Sequence, residues 1–447
     1  MSELFDVADR VLGWVTDSEA VEVVVAHSRE TEVRAFEGEV ESFVSSATSG
    51  VAIRVVEGLR QGFAWAGSHD PDVLAETLAE ARDNARFSSE DANVGLAVPD
   101  GVEPPPLTLY DERIERLTPE QKIELALELE RRVVEGDPRI VGVESADYSD
   151  GVSETAVVST TGIRSFERES GCSLSVYSLA CADRETTTGF GFSVARSPDG
   201  LDLETAAAEA VERAVRMLGA IRVPTGRATV VLDPWVAAQV LSIVAEAFSG
   251  GEVLRGRSWV ADRVGDAIGP AMLSVADDPT DARWFGAATV DAEGLATRTT
   301  SLIEAGVVRG FVHDSYSARG SGASSTGSAV RAGYRSMPSA GVQSVVVVPG
   351  DRDPTQVLSM VGEGIFVSEV QGLHSGVNPV SGDFSTGIEG LVIRGGELAE
   401  PTKEVTIAST LQRMLANIVA VGNDLTALPL DATGVTLAIS DVSVSGS

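Results

Sequence analysis

Lysine is almost missing from this chain of 447 residues: Lys122 and Lys403 are the only two, and arginine carries the rest of its 34 basic side chains. Schiff-base and Ser-x-x-Lys chemistry therefore lose most of their candidates. Cysteine is equally scarce. Cys172 and Cys181 lie in a segment that alternates like a strand, at no zinc-ligand spacing and with no cation or base beside either, so both read as structural thiols. The four histidines, His27, His69, His313 and His374, include no pair at helical ligand spacing, and no H-E-x-x-H occurs. Only His313, followed by Asp314, and His374, in a glycine-rich loop, remain as candidates. There is no G-x-S-x-G elbow and no G-x-x-x-x-G-K-[ST]; the run "RGSGASSTGSA" from Arg319 lacks the following lysine and reads as a surface loop. Basic charge is short overall. The 34 basic side chains face 67 acidic ones, and a net charge of −33 repels phosphate backbones and anionic headgroups, so neither direct nucleic-acid binding nor membrane binding is expected. No run approaches the roughly 18 apolar residues of a membrane span. The start, "MSELFDVADR", carries acid where a signal peptide carries base, and a cytoplasmic chain is expected.

What is present points to two well-buried domains, since a hydrophobic content of 43% over this length exceeds what one core usually holds. Apolar spacing predicts a helix over 4–15, strands over 21–26, 33–36 and 40–44, and a helix over 71–87. The proline-rich "VPDGVEPPPLTLYD" is a crossing segment. Thr118, Pro119 and Gln121 supply an N-cap, a first-turn proline and a capping-box acceptor for a helix reaching 134. Three strands and an alanine-rich helix over 202–218 complete an α+β domain, assigned to 1–222. The remainder, 223–447, opens with an apolar strand, an Asp-Pro break and a core helix over 234–248. It continues as a mostly β domain with few helices, the last of them expected over 410–421. The fold class is thus α+β: an N-terminal antiparallel sheet with helices, then a mostly β C-terminal domain.

Three segments resemble the TldD/PmbA metallopeptidase family: "GEVESFVSSATSGVAIRVVEGLRQGFAW", "GVVRGFVHDSYSARGSGASSTGSAVRAGYRSMPSAG" and, most closely, "SGVNPVSGDFSTGIEGLVIRGGELAEPTKEVTIASTLQRMLANIVAVGNDL". The resemblance implies one of two branches that assemble into a peptide-cleaving heteromer. The catalytic TldD branch carries H-E-x-x-x-H on a helix early in the second domain; here that place reads Ala245, Glu246, Ala247, Phe248, Ser249, Gly250. Catalytic members also have a zinc-ligating cysteine after the "VGNDL" element, whereas "LTALPLDATGVTLAISDVSVSGS" has none. Zinc hydrolysis needs about three protein ligands and an open position for water, so Glu246 is left with no activated water to deprotonate.

The expectation is therefore a metal-free TldE/PmbA-like subunit, without a cofactor, whose partner is a TldD-like zinc peptidase. Self-pairing as a homodimer stays open when that partner is absent, and the substrate is expected to be an extended or unfolded peptide. The run from His374 to Thr386 is read as cavity lining, with His374, Asn378, Ser381, Asp383, Phe384 and Ser385 as its candidates. Its glycines suit either close approach to a peptide or a plain hairpin turn. The alternatives are a stand-alone hydrolase using His313, His374 and nearby carboxylates, or a homo-oligomeric scaffold. The gyrase-modulating role attached to the family would have to be a protein–protein effect, given the charge.

Overall fold

The computed structural model describes residues 2–183 and 185–446. They divide into two compact units. One comprises residues up to Glu57, Gln61–Ser88 and Thr108–Gly219; the other comprises Gly58–Arg60, Ser89–Leu107 and the chain from Ala220 onward.

The first unit is a six-stranded antiparallel sheet in the order β3-β2-β1-β4-β5-β6. Its strands are β1 (Ala20–Phe36), β2 (Glu39–Glu57), β3 (Arg60–Ala66), β4 (Ile140–Ser159), β5 (Arg164–Ala182) and β6 (Glu185–Ala195). The short strands expected over 21–26 and 33–36 are one continuous strand, because the polar stretch between them stays in register with β2 and β4. Four helices cover the sheet: α1 (Ser2–Leu12), α2 (Pro71–Phe87), α3 (Pro119–Gly136) and α4 (Leu203–Arg216). Each start from α2 onward is capped as its sequence dictates. Asp70 accepts the Asp72 N–H, Thr118 and Gln121 form the reciprocal capping box, and Asp202 accepts the Thr205 N–H. Helices α1 and α2 pack on Val21, Val23, Val25, Ile53 and Val158, while α3 and α4 pack on Val33, Ala35, Tyr148, Leu174 and Val176. Val25 and Val33 are eight residues apart on one strand. Both cores therefore lie on the same face of the sheet, side by side.

The second unit contains a six-stranded sheet in the order β16-β15-β14-β7-β18-β17, a four-stranded sheet β10-β9-β8-β13 and a two-stranded ladder β11-β12. These are β7 (Gly226–Leu232), β8 (Val275–Asp277), β9 (Thr300–Glu304), β10 (Val307–Val308), β11 (Ala329–Val330), β12 (Ser339–Ala340), β13 (Val345–Val347), β14 (Gly364–Gln371), β15 (Asp383–Arg394), β16 (Glu397–Thr410), β17 (Ile418–Val421) and β18 (Leu437–Ser445). Only β7–β14 is a parallel pair within the large sheet, and the sheet curls until β16 also pairs with β18. The helices are α5 (Pro234–Glu246), α6 (Gly250–Leu254), α7 (Ser315–Ser321), α8 (Pro354–Val361), α9 (Leu373–Gly376) and α10 (Leu411–Ala416). The helix expected over 410–421 stops after α10. Asn417 ends it, and the β-branched Ile418-Val419 run enters β17 opposite β18. The architecture is α+β, with the antiparallel sheet and its helices first and the mostly β unit second.

Neither cysteine is paired. Cys172 and Cys181 both sit on β5, an odd number of residues apart and so on opposite faces; burial pushes the Cys172 thiol up to about 12.

Helix α4 lies directly on bare backbone of β6. A β-carbon on Gly191 would stand 1.9 Å from the Ala206 carbonyl oxygen, and one on Gly189 would stand 2.2 Å from that of Ala210. Gly191→Ala is expected to destabilise the chain by about 1–3 kcal/mol through overpacking. The readout is a lower denaturant midpoint at unchanged slope. Gly171→Ala on β5, where nothing lies within 4 Å, should leave the midpoint in place.

Candidate functional site

The place assigned to the metal motif straddles the end of α5. Asp233 accepts the Val236 N–H at 2.8 Å and Pro234 occupies the first turn, so the helix start is well set. Its end comes earlier than the sequence suggests. Glu246 is the last helical residue, Ala247 and Phe248 turn, Ser249 bridges to Val312 and Gly250 opens α6: the Val312 N–H donates to the Phe248 carbonyl at 3.0 Å, and the Gly250 N–H donates to the Val312 carbonyl at 2.9 Å. Ala245 and Gly250 consequently belong to different helices. Ala245 is buried; Glu246 is exposed, and desolvation followed by repulsion from Glu252 raises its pKa.

Gly250 has a specific neighbour. A β-carbon there would stand 2.2 Å from His313 Nδ1 and 3.0 Å from the Val312 carbonyl oxygen. The imidazole of His313 fills the space that a side chain at 250 would need. His313 is buried, its Nδ1 lies 3.1 Å from Ser317 Oγ, and burial lowers its pKa against the opposing pull of Asp314. Asp314 is spent as the N-cap of α7, accepting the Ser317 N–H at 2.7 Å.

Around this histidine lies a polar core that no sequence motif announced. Asp277 accepts the N–H groups of Gln343 and Ser344 at 2.9 and 2.8 Å and the Ser328 hydroxyl at 3.2 Å. Asp291 accepts the N–H groups of Glu293, Leu295 and Ala329, and Glu293 accepts the Ser315 N–H. The network reaches His313 itself, because its N–H donates to the Thr326 hydroxyl, which donates in turn to Ser328 Oγ. All three carboxylates are buried. Burial pushes Asp277 up to about 6, and burial together with Glu293 pushes Asp291 up to about 7. The "RGSGASSTGSA" run is therefore only partly a surface loop: it begins in α7 and ends at the buried Ser328 and Ala329. The local signal for Asp291 was its Asx-type turn onto Glu293; Asp277 had none.

The run from His374 to Thr386 forms the short α9, a turn and the start of β15. Asn378 Oδ1 accepts the N–H groups of Val380 and Ser381, and the Ser381 hydroxyl donates to Asp383 at 2.7 Å. The structure thus brings Asn378, Ser381 and Asp383 together in one turn. Phe384 points into the core, whereas His374 and Ser385 are exposed. Among the described residues, no group of three or more His, Cys, Asp or Glu side chains is placed to hold a metal ion. At the motif itself Ala245 and Gly250 offer no donor atom, and the space beside Gly250 is taken. The residues present there do not fit a zinc centre.

Three domain families match the chain: PmbA/TldA metallopeptidase domain 1 over residues 21–85, the central domain over 112–218 and the C-terminal domain over 225–446. The chain belongs to the PmbA/TldD family of metallopeptidase-like proteins. It is 27% identical to "Metalloprotease PmbA" of Escherichia coli O157:H7 over 91% of this chain and 88% of that protein. It is 28% identical to the PmbA homologue of Haemophilus influenzae, with the same shares covered, and 25% identical to the TldD homologue of that organism over 80% of this chain and 76% of the other. Two crystal structures share the fold. A Thermotoga maritima protein described as a candidate modulator of a DNA gyrase superposes with a TM-score of 0.90 at 23% identity, covering 99% of this chain and all of that one. TldE from Thermococcus kodakarensis gives 0.88 at 23% identity, covering 100% and 99%.

The raised carboxylates set a sign for pH dependence. A folded pKa above the ordinary carboxylate value stabilises the fold below that ordinary value, and the contribution is lost as pH rises through the folded pKa. Between pH 5 and 8 the melting temperature should therefore fall with rising pH, most steeply toward pH 5 and levelling off as the pH passes the values of about 6 and 7 held by Asp277 and Asp291. Asp291→Asn should flatten the upper part of that slope in calorimetry. Backbone N–H donors face both carboxylate oxygens and an amide keeps only one acceptor oxygen, so the variant should also melt lower at pH 5.

Proposed function

We propose that this chain is the metal-free, TldE/PmbA-like subunit of a cytoplasmic peptide-degrading or peptide-maturing heteromer, paired with a TldD-like zinc peptidase. One observation carries the reading: where the catalytic branch has its second histidine, this chain has Gly250, and His313 occupies the side-chain space. Metal-activated water needs about three protein ligands, and the motif here contributes none of its histidines. Glu246 alone cannot act as base on water that no metal polarises. The existence of both PmbA and TldD homologues in Haemophilus influenzae supports a two-chain assembly. No helix among the described residues is long and apolar enough to cross a membrane.

In the heteromer the β-rich unit contributes the contact between subunits, and the exposed His374 and Ser385 line the path of an extended peptide. Asn378, Ser381 and Asp383 hold the turn that presents them.

Purified alone, the chain should contain zinc only substoichiometrically and cleave no peptide, with cleavage appearing on addition of a TldD-like subunit. About one zinc per chain bound through the second unit would overturn the proposal. The double variant Ala245→His/Gly250→His should gain no zinc by metal analysis and should melt well below the parent, because His313 must move to admit the new side chain.

The lining role is tested separately in the reconstituted heteromer. His374→Ala and Ser385→Ala are expected to raise KM for peptide cleavage several-fold without changing assembly. Parental kinetics in both would remove this run from the substrate path.

A further inference from the structure

We propose that the open edge of β2, residues 39–48, docks an extended basic peptide as an added strand, with the adjoining cavity receiving one of its side chains. Apart from the turn at 58–60, the observations lie within the first unit. Strand β3 is seven residues long and follows β2 through a turn at Gly58-Leu59, so it reaches back only to about residue 51. Beyond that point β2 has β1 on one side and, among the described residues, no strand on the other. Every residue from 39 to 48 is exposed, including Val40, Phe43 and Val44 at 39%, 39% and 51%.

An edge of this length is usually blunted by lysine, proline or a bulge that turns it away. Residues 39–48 contain neither lysine nor proline; the one irregularity of the hairpin is a bulge at Glu41 of β2, between the pairs Arg34–Ser42 and Ala35–Val40, and from Ser42 to Thr48 the ladder to β1 is regular. The edge is also held in place. Glu130, buried on α3, accepts the Gly38 N–H through both carboxylate oxygens at 3.2 and 3.1 Å, which pins the hairpin tip and presents the strand ready for pairing.

Charge selects the occupant. Glu37, Glu39 and Glu41 surround the tip, with Glu30 and Glu32 on β1 beside them. The nearby cations are already engaged, Arg29 by Glu115 and Arg34 by Asp147 at 2.7 Å. A second copy of the same edge would bring like charges together, whereas a basic strand would neutralise them. Next to residues 45–47 of β2 opens a cavity of about 310 Å³ with an apolar floor of Ile114 and Val152 and a polar wall that includes Glu30 and Glu115. Lys122, which also borders it, is held by Asp150 at 2.6 Å and Thr31 at 2.9 Å. Strand addition draws affinity from main-chain hydrogen bonds and specificity from pockets that take alternate side chains, and both parts are here side by side.

The test needs neither a catalytic partner nor turnover, so its outcome is independent of the assembly proposed above. Fluorescence anisotropy with a labelled peptide alternating lysine and valine should show saturable binding to the full chain at low salt. N-methylation of alternate amides in that peptide should weaken it about tenfold or more, and so should Glu39→Lys/Glu41→Lys in the protein, which should instead admit the glutamate–valine peptide. Hydrogen exchange should slow at residues 39–48 when the lysine peptide is bound. Three outcomes overturn the proposal: equal affinity for the N-methylated peptide, no binding of the lysine peptide at millimolar concentration, or protection of this edge by self-association in light scattering without any peptide.

Discussion

Main-chain N–H groups in a segment with little regular ladder must find acceptors, and in the second unit buried carboxylates supply them. Between β8 and β13 the strands are two to five residues long, too short to satisfy the backbone that joins them. Asp277 takes two N–H groups from the approach to β13, Asp291 takes three from its own turn and from β11, and Glu293 takes one from the start of α7. Each carboxylate therefore ties together chain segments that are far apart in sequence. The cost is three acids away from water, which appears as the raised pKa of Asp277 and Asp291.

The position of His313 follows from that arrangement. Its own N–H is joined through Thr326 and Ser328 to Asp277, while the next turn of chain is held at Ser315 by Glu293. The imidazole is thus delivered against Gly250 by groups that belong to no recognisable motif. A close-packed interior leaves no room for a side chain at 250 unless this whole network yields. Loss of ligand atoms at 245 and 250 and occupation of the remaining space are two separate departures from a metal-binding motif, and the second exists only in three dimensions.

The first unit obeys different physics. Along its long strands the ladders satisfy the backbone, and a buried carboxylate, Glu130, is used at the hairpin tip; its two cores are separated simply by distance along one face of the sheet. Where the helices and β3 run out, β2 continues as an exposed edge. Acidic side chains, rather than a covering element, guard it.

Capping residues, apolar spacing and proline were sufficient to place α2, α3, α4 and the start of α5, since these signals act over a few neighbouring residues. Charge composition and the missing histidines at 245 and 250 were likewise readable without coordinates. The full length of β1 and β2 was not, because polar residues between Ala26 and Val33 are strand-forming only through their partners on β2 and β4. The stop at Asn417 was missed for a related reason: an apolar run suits helix or strand until β18 decides. Asn378, Ser381 and Asp383 were legible as a polar turn, but their consumption by one another was not. The burial of Asp277, the contact of His313 with Gly250 and the cavity beside β2 join residues tens to more than a hundred positions apart. Local sequence carries no term for such meetings, so only the tertiary structure determined them.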